Sequence, residues 1–307
     1  MFFSRLTDNR KEQTMDIKSW QKEKTEEINA FLPKYFPKEE GYESVLFEAM
    51  NYSVRVGGKR LRPMILLECC KMFGGDCKTA EPFAAALEMI HTYSLVHDDL
   101  PDMDNDMYRR GNLTTHAKFG PAMGILAGDG LLNYAFEVMS EACLKSGHNA
   151  VLAMNIIAGK AGIYGMIAGQ TVDLSYTGKE VSAEILDYIN LRKTSALLSA
   201  SLMAGAAIAG AGNDELTVLE KVGDLLGLAF QIRDDILDVT GDAATLGKPL
   251  HSDEKNEKNT YVSLLGLKKA EEIVLSYSKK AVEQLRSLPV HSEELEELLL
   301  SLAGRKF

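Results

Sequence analysis

The sequence predicts an all-α protein, a single large bundle of about ten helices. Apolar residues recur at spacings of three and four through most of the chain, which is the helical period. Valine, isoleucine and threonine nowhere alternate with polar residues over a strand's length. Glycines and prolines lie mostly between the periodic stretches, as they do at helix ends. Neither a repeat nor a linker divides the 307 residues, so we expect one domain over 1–307, with 1–15 a poorly ordered extension.

Seven stretches carry the helical period most clearly, at 17–31, 45–54, 82–96, 122–143, 183–209, 216–239 and 268–288. The long middle stretches are apolar nearly all round, as the central helices of a bundle are. The longest uncharged run, 195–213, is rich in Ala, Gly and Ser. Since these residues contribute little to membrane insertion, we predict a helix buried in the core and no stable membrane insertion.

The charge and cysteine content limit the classes of function. The chain carries 34 basic and 44 acidic residues, a formal charge of −10, whereas a general nucleic-acid binder needs a positive surface. A small anionic ligand stays compatible, because it needs only a local basic pocket. The four cysteines do not suggest a disulfide framework, and the N-terminus lacks the apolar core of a signal peptide. We therefore expect a cytoplasmic protein, whose translation starts at either Met1 or Met15.

Two acidic clusters stand at the ends of apolar stretches. The first has five aspartates within 98–106, and the second has three within 234–238. The carboxyl end of a helix is already the negative end of its dipole, so carboxylates there cost stability unless a cation compensates. Sites made only of carboxylates suit hard divalent cations, above all Mg²⁺. The clusters therefore predict magnesium sites, and a solvated acidic loop is the alternative for either cluster taken alone.

Helical geometry ranks the aspartates within each cluster. Asp234 and Asp238 are four residues apart and share one helix face. Asp235 lies about 100° round the helix and is a weaker candidate for direct ligation. A proline breaks the regular helix in the first cluster, so that Asp98 and Asp104 can converge.

Basic residues supply the charge that phosphate oxygens require. Residues 57–63 place three cations beside a flexible glycine pair, and two more cations follow the first acidic cluster. Another lies at the start of the Ala-rich helix, and two flank the loop after the second cluster. Arginine forks and lysine point charges are suited to phosphate. Together with the acidic clusters they indicate a pocket for a metal-chelated diphosphate. The basic residues concerned are Lys59, Arg60, Arg62, Arg109, Arg110, Lys193, Lys248 and Lys258.

Five motifs in this order resemble the motif set of the trans-prenyl diphosphate synthases, most closely the bacterial farnesyl diphosphate synthases. They are Gly-Gly-Lys-Arg-Leu-Arg-Pro at 57–63, Asp-Asp-Leu-Pro-Asp-Met-Asp at 98–104 with Arg-Arg-Gly at 109–111, Gly-Gln-Thr-Val-Asp at 169–173, Lys-Thr at 193–194, and Phe-Gln-Ile-Arg-Asp-Asp-Ile-Leu-Asp at 230–238. The resemblance implies an all-α fold around a deep central cavity, and a homodimer. It also implies head-to-tail condensation, in which an allylic diphosphate ionises and isopentenyl diphosphate attacks the cation.

The resemblance assigns the acidic residues to metal binding. It implies three Mg²⁺ ions in each active site, held around the allylic diphosphate. The metal ligands would be Asp98, Asp102, Asp104, Asp234 and Asp238. Two further aspartates would lie beside these ligands, namely Asp99, which we also count as catalytic, and Asp235.

The resemblance assigns the remaining polar residues to the two substrates. The allylic diphosphate would be held by Arg109, Lys193 and Lys258. Isopentenyl diphosphate would be held by Lys59, Arg62, His91 and Arg110. Lys248, Thr194 and Gln231 would complete the site, the last two beside the developing cation, while Gln170 and Asp173 support it. The catalytic set would be Asp98, Asp99, Asp104, Lys193, Thr194, Gln231 and Asp234.

Product length is expected to depend on Tyr93 and Ser94. Ser94 lies four residues before Asp98 on the same helix face, and Tyr93 lies roughly 7.5 Å deeper along the axis. A prenyl chain that grows down this face would meet the Tyr93 ring as a floor. An aromatic residue here resembles the bacterial farnesyl enzymes and implies a C15 product, with a C20 product as the alternative. Tyr93 could instead pack between helices with its hydroxyl bonded.

Three other classes of protein share some of these features. A di-iron bundle needs two Glu-x-x-His motifs, and only Glu88 and His91 supply one. A terpene cyclase shares the Asp-rich site but binds a single diphosphate, so it does not need the basic motif at 57–63. A non-catalytic subunit of a prenyl synthase would be expected to have lost one acidic cluster, and this chain has both. The synthase interpretation explains more of the sequence than any of them.

Overall fold

The computed structural model describes residues 16–241 and 259–304, most of which are helical. The all-α prediction is confirmed. The described α-helices are α1 (Ile17–Phe31), α2 (Ser44–Arg55), α3 (Leu61–Met72), α4 (Cys77–Asp98), α5 (Thr115–Phe119), α6 (Pro121–Ser146), α7 (His148–Ala161), α8 (Met166–Tyr176), α9 (Ala183–Asn190), α10 (Ala196–Ile208), α11 (Asn213–Thr240), α12 (Tyr261–Leu265), α13 (Leu267–Arg286) and α14 (Glu293–Ala303).

Two short elements depart from the expected pattern. A tight hairpin pairs Tyr108–Arg109 with Asn112–Leu113, and each of its strands has only two residues, too few for an alternating pattern. The predicted continuous helix over 183–209 is interrupted by a π-helical turn, Leu191–Ser195, between α9 and α10. A π turn changes the phase of a helix without exposing it to solvent, so the apolar pattern does not reveal it.

Helix α10 lies at the centre of the bundle, packed against α3, α7 and α11. Twelve of its thirteen residues are buried, which confirms the predicted core helix in the run 195–213. Small residues let its neighbours approach closely. A Cβ at Gly205 would lie 2.2 Å from the Leu66 carbonyl oxygen of α3, so no side chain fits between these two helices. Close packing of this kind requires the Ala- and Gly-rich composition that the sequence shows.

The two helices that carry the acidic clusters are long and firmly anchored. Helix α4 is capped by Asp76, whose side chain accepts a hydrogen bond from the backbone N–H of Lys78 at 3.1 Å. It begins at Cys77 and runs through the core to end at Asp98. Helix α11 begins beside Glu215, whose carboxylate accepts the Gly212 N–H at 2.6 Å. Both helices contact α10, so their positions relative to each other are set by the core.

Among the residues that the structure describes, one helical stretch, 148–176, is long and apolar enough to cross a membrane by length and composition alone, with a mean hydropathy of 1.5 in its most apolar window. It consists of α7 and α8, which are separated at 162–165 by a turn. Only 33% of that window is buried. Some of its exposed apolar side chains, such as Ile167 and Leu174, border the central cavity described below.

Candidate active site

A cavity of about 890 Å³ opens between α3, α4, α6, α8 and α11. Its wall is formed in large part by the side chains that the sequence singled out. Ten predicted site residues line this cavity, namely Lys59, Arg62, His91, Tyr93, Ser94, Asp98, Arg110, Lys193, Thr194 and Gln231. They come from five separate parts of the chain, so the fold brings together the motifs that the sequence presents in order.

Other predicted residues lie outside this lining. They are Asp99, Asp102, Asp104, Arg109, Asp234 and Asp238. Asp102 is exposed, whereas Asp238 is 2% exposed. Lys248 and Lys258 lie outside the described residues, as do Met1 and Met15, and the predictions for them stay predictions.

The first acidic cluster folds back on the end of α4. The backbone N–H of Asp104 donates to the carbonyl oxygen of Asp98 at 2.9 Å, so the break in the helix brings these two residues together as predicted. The Asp98 carboxylate accepts a hydrogen bond from Gln170 Nε2 on α8 at 2.7 Å. Gln170 thus contacts a predicted metal ligand directly, in agreement with the supporting role expected for it.

Asp99 is paired with Arg109. The guanidinium donates from Nε to both carboxylate oxygens at 2.9 Å and from Nη2 to Oδ1 at 2.6 Å. Asp99 is 3% exposed, and burial raises the pKa of its carboxyl while the Arg109 hydrogen bonds act in the opposite direction. This ion pair anchors the hairpin to the end of α4, and it leaves the predicted contact of Arg109 with a diphosphate as a prediction.

The second acidic cluster divides into two kinds of aspartate. Asp234 is only partly buried and shares a helix face with Asp238. Asp235 is 4% exposed and accepts hydrogen bonds from Gln231 Nε2 at 3.1 Å and from the Tyr261 N–H at 3.0 Å. Helical spacing made Asp235 the weaker ligand, and its hydrogen bonds to protein groups agree with that ranking.

The acidic residues fit a magnesium ion that takes some of its oxygen ligands from carboxylates and the others from a diphosphate. Within 16–241 and 259–304, no three side chains of His, Cys, Asp or Glu come together as a metal site. Mg²⁺ is usually held by one or two carboxylates and completes its octahedron with water and substrate phosphate. Asp98 and Asp104 in one cluster and Asp234 in the other offer such a partial set of oxygen ligands.

The basic side of the cavity is formed by α3, α4 and the hairpin. Arg60 is buried, pairs with Glu88 at 2.7 Å and donates to the Val54 carbonyl at 2.7 Å, so its role is structural. Arg62 differs, since its buried Nε has no hydrogen-bond partner among the described residues. Burial, together with the charge of Arg110, lowers the pKa of Arg62 to about 10. An unpaired buried guanidinium nitrogen is costly, and an anion in the cavity would relieve that cost.

His91 stands one helical turn after Glu88, in the same basic region. Burial first, and then the positive charges of Arg62 and Arg110, lower the pKa of His91 well below its ordinary value. The imidazole is therefore neutral at pH 7 and can donate one hydrogen bond without adding charge.

The π-helical turn presents Lys193 and Thr194 to the cavity. A Cβ at Gly169 of α8 would lie 2.2 Å from the backbone nitrogen of Lys193, so only glycine permits this contact between α8 and the turn. Lys193 Nζ lies 2.7 Å from the Asp173 carboxylate, and Thr194 Oγ1 donates to Gln231 Oε1 at 3.1 Å. The contact between Asp173 and Lys193 thus agrees with the supporting role predicted for Asp173.

The apolar end of the cavity includes Tyr93, which is 6% exposed and packs edge-on against His97 at 5.8 Å between ring centroids. Within the described part of the chain, its hydroxyl makes no hydrogen bond. Burial, aided by the charge of Asp98, raises the pKa of Tyr93 to about 12. Ser94 Oγ instead donates to the His91 carbonyl at 2.8 Å. The remaining apolar lining of the cavity is Leu61, Leu95, Met103, Leu132, Met166, Ile167, Leu174 and Phe230.

The roles of two carboxylates in the cavity were not predicted from the sequence. Glu88 neutralises Arg60 and thereby leaves the charge of Arg62 available to the cavity. The sequence did offer a signal for it, a carboxylate one turn before His91 in the otherwise apolar stretch 82–90. Asp129 lines the cavity near His97, at 3.8 Å from Nε2. Its signal was a lone acidic residue in the apolar first half of α6.

Comparison with known proteins decides the family. Residues 43–295 match the family model described as Polyprenyl synthetase. The chain belongs to the polyprenyl synthetase family. The resemblance inferred from the five motifs is thereby confirmed, and the protein is a prenyltransferase of isoprenoid biosynthesis.

The relatives of this polyprenyl synthetase make products of different length. It is 42% identical to the farnesyl diphosphate synthase of Geobacillus stearothermophilus over 95% of this chain and 98% of that protein. It is equally 42% identical to large subunit 1 of the heterodimeric geranylgeranyl pyrophosphate synthase of Arabidopsis thaliana, over 89% of this chain and 74% of that protein. Bacterial farnesyl diphosphate synthases recur among the relatives.

Solved structures that resemble this chain are consistent with its membership of the family. The geranyltransferase of Helicobacter pylori complexed with magnesium and isoprenyl diphosphate has a TM-score of 0.80 at 34% identity, over 95% of this chain and 97% of that chain. A geranylgeranyl pyrophosphate synthase has a TM-score of 0.83 at 28% identity, over 96% of this chain and all of that chain.

Proposed function

We propose that this prenyltransferase condenses isopentenyl diphosphate head-to-tail with dimethylallyl or geranyl diphosphate to give farnesyl diphosphate. The proposal rests on the side chains that line one cavity. This cavity contains a basic region around Arg62, a second polar region around Lys193 and Gln231, and an apolar end at Tyr93. A basic region and a second polar region that carries Lys193 suit two diphosphates, and an apolar end suits a growing hydrocarbon.

The basic region around Arg62 is proposed to bind isopentenyl diphosphate. Arg62 and Arg110 would hold phosphate oxygens, while neutral His91 donates a hydrogen bond. Lys59, which is exposed at the edge of the cavity, would complete the set. The Nε of Arg62, unpartnered among the described residues, supports this assignment, because a diphosphate oxygen would satisfy it.

The second region is proposed to bind and ionise the allylic diphosphate. Lys193, with Arg109 and Lys258, would hold its oxygens, and Lys248 would complete the site. Gln231 Oε1 and Thr194 Oγ1 would stabilise the allylic cation. The apolar lining keeps water from the cation until isopentenyl diphosphate attacks it, and the final proton leaves to the departing pyrophosphate.

Magnesium is proposed as the cofactor, with three ions in each site. Asp98, Asp102, Asp104, Asp234 and Asp238 would hold these ions. When bound, they neutralise the charge that grows on the leaving diphosphate. Asp99, through its pairing with Arg109, would keep the hairpin beside this cluster.

A homodimer is proposed as the working form, in the cytoplasm. Several large apolar side chains on α6 and α7 are exposed in the single chain and would suit contact with a second copy, namely Ile125, Leu126, Leu144 and Val151. Light scattering of the purified protein should give twice the chain mass of 33.8 kDa. A mass equal to one chain at micromolar concentration would contradict the dimer.

The condensation is tested by sizing the products. Labelled isopentenyl diphosphate should be incubated with dimethylallyl, geranyl or farnesyl diphosphate in turn, and the products separated by chain length. We expect C15 from the first two and little extension of farnesyl diphosphate. A dominant C20 product would assign the activity to the alternative, geranylgeranyl diphosphate synthesis. Release of pyrophosphate without incorporation of label would indicate a terpene cyclase.

A further inference from the structure

Asp235 occupies a position in the second acidic cluster unlike that of its neighbours. Its side chain is 4% exposed. One carboxylate oxygen, Oδ1, accepts from Gln231 Nε2 at 3.1 Å, and the other, Oδ2, accepts from the Tyr261 N–H at 3.0 Å. A buried carboxylate whose two oxygens each accept a hydrogen bond from a protein donor is poorly placed to ligate a metal. The presence of Asp235 in the cluster therefore calls for another role.

The hydrogen bond from Gln231 determines which way its carboxamide faces. A carboxamide has a donor end and an acceptor end, whereas a carboxylate only accepts. Asp235 can therefore accept a hydrogen bond only from the NH₂ end of the Gln231 side chain. The oxygen end is left to accept from Thr194 Oγ1, at 3.1 Å, beside the cavity. The orientation of the Gln231 amide is thus fixed by chemistry as well as by geometry.

We propose that Asp235 is a positioning residue that holds the oxygen of the Gln231 carboxamide toward the allylic cation. The inference rests on the proposed condensation. The carbonyl end of an amide carries negative partial charge and stabilises a nearby cation, while the NH₂ end would repel it. A dipole that is oriented before the reaction needs no reorganisation when the charge appears.

Asp235 also joins three elements around the site. The Tyr261 N–H binds Asp235 on α11, and the Tyr261 hydroxyl donates to Asp187 on α9, which leads into the π-helical turn. Asp235 also lines a second, polar cavity of about 160 Å³, together with Lys193, Thr194 and Gln231. Removal of Asp235 therefore disturbs packing as well as the amide, and a test has to separate the two effects.

Asp235→Asn provides the first variant, because it keeps the size of the side chain and removes one acceptor. The single oxygen of the introduced amide can then accept from Tyr261 or from Gln231, but not from both. We expect kcat to fall by roughly 10- to 100-fold, as when one oriented group is lost from an active site. The KM values for both diphosphates and the Mg²⁺ concentration for half activity should stay within about threefold, because neither depends on this amide.

An exchange of the two side chains provides the rescue, in the double variant Asp235→Asn with Gln231→Glu. The amide now at position 235 donates to the carboxylate now at position 231, and its oxygen still accepts from the Tyr261 N–H. The second oxygen of that carboxylate accepts from Thr194. Gln231→Glu alone would instead place two carboxylates in contact. We expect the double variant to regain at least about tenfold in kcat over Asp235→Asn, which requires direct coupling between the two positions.

Asp187→Asn serves as the structural control, since it weakens the Tyr261 contact without touching Gln231. It should lower the melting temperature and keep kcat near that of the wild type. The proposal is overturned if Asp187→Asn loses as much kcat as Asp235→Asn, if the double variant shows no rescue, or if Asp235→Asn is restored by raised Mg²⁺. Absence of condensation by the wild type in the same assay would instead contradict the proposed function.

Discussion

Arg62 shows how the fold makes the charge of one arginine available to the substrate site. Its neighbour Arg60 in the same motif is neutralised by Glu88, whereas the Arg62 Nε is buried without a partner among the described residues. The family resemblance assigned Arg62 and not Arg60 to the substrate, but the residue types and spacing gave no physical reason for that choice, because Glu88 lies on another helix and its pairing with Arg60 is made through space. The fold supplies that reason, since it pairs Arg60 and not Arg62 with Glu88.

Arg62→Ala should therefore raise the KM for isopentenyl diphosphate. A charged hydrogen bond is worth about 1.5–3 kcal/mol, so the expected increase is roughly 10- to 100-fold, with a small effect on the allylic KM. Steady-state kinetics with each substrate varied in turn would show this. Lys193→Ala is the matched comparison and should affect mainly the allylic substrate. Unchanged kinetics for isopentenyl diphosphate in Arg62→Ala would require the two diphosphate regions to be reassigned.

His91 gives a prediction for stability against pH. Burial and nearby arginines lower the pKa of His91 in the folded state, while in the unfolded chain it stays near about 6.5. The unfolded state thus binds the proton more readily, so His91 reduces stability as the pH falls below about 6.5. Melting temperatures from pH 7.5 to 5 should fall less steeply in His91→Gln than in the wild type. His148→Gln, at an exposed histidine, should leave the slope unchanged.

At the scale of elements, the helical period predicted the long helices well and the connections poorly. The predicted stretches 17–31 and 216–239 agree closely with α1 and α11. The π turn was not predictable, since its position depends on α8, where Gly169 contacts the Lys193 backbone. The pairing of Asp99 with Arg109 was likewise hidden, because a hairpin brings the two together.

Gly169→Ala should displace the π-helical turn. The new Cβ would meet the Lys193 backbone nitrogen at 2.2 Å, so the turn or α8 has to move. We expect a loss of about 1–3 kcal/mol in stability and a marked fall in kcat. Gly159→Ala on α7 is the control, because its Cβ would meet nothing within 4 Å, and there we expect a stability gain of about 0.5–1 kcal/mol. Equal effects in the two variants would contradict the account of the turn.

Helix α4 sets the depth of the cavity from Asp98 to Tyr93. Tyr93→Ala should open the apolar end and shift the products to C20 and longer while condensation continues, because the ring lies away from the diphosphate groups. Chain-length analysis of the products with geranyl diphosphate as starter would measure the shift. A C15 profile identical to that of the wild type would show that another residue forms the floor.

At the scale of the whole molecule, charge is the property that links sequence to activity. The chain is acidic overall, with a net charge of −10, and its two aspartate clusters come at or near the ends of long core helices. The sequence sufficed to predict the bundle and ten of the cavity residues. It did not predict the supporting contacts, such as Asp235 with Gln231 and Tyr261, since these depend on how separate helices pack.

The central claim is that these carboxylates act through divalent cations on a diphosphate. The most direct test measures how much labelled isopentenyl diphosphate is incorporated into a longer prenyl product. The wild type, Asp98→Ala and Asp234→Ala are each assayed with Mg²⁺ and with excess chelator. We expect incorporation by the wild type with Mg²⁺ and none with chelator. Both variants should incorporate label at rates lower by orders of magnitude, since charge on the leaving group develops in the transition state. Full incorporation in excess chelator would contradict the central claim.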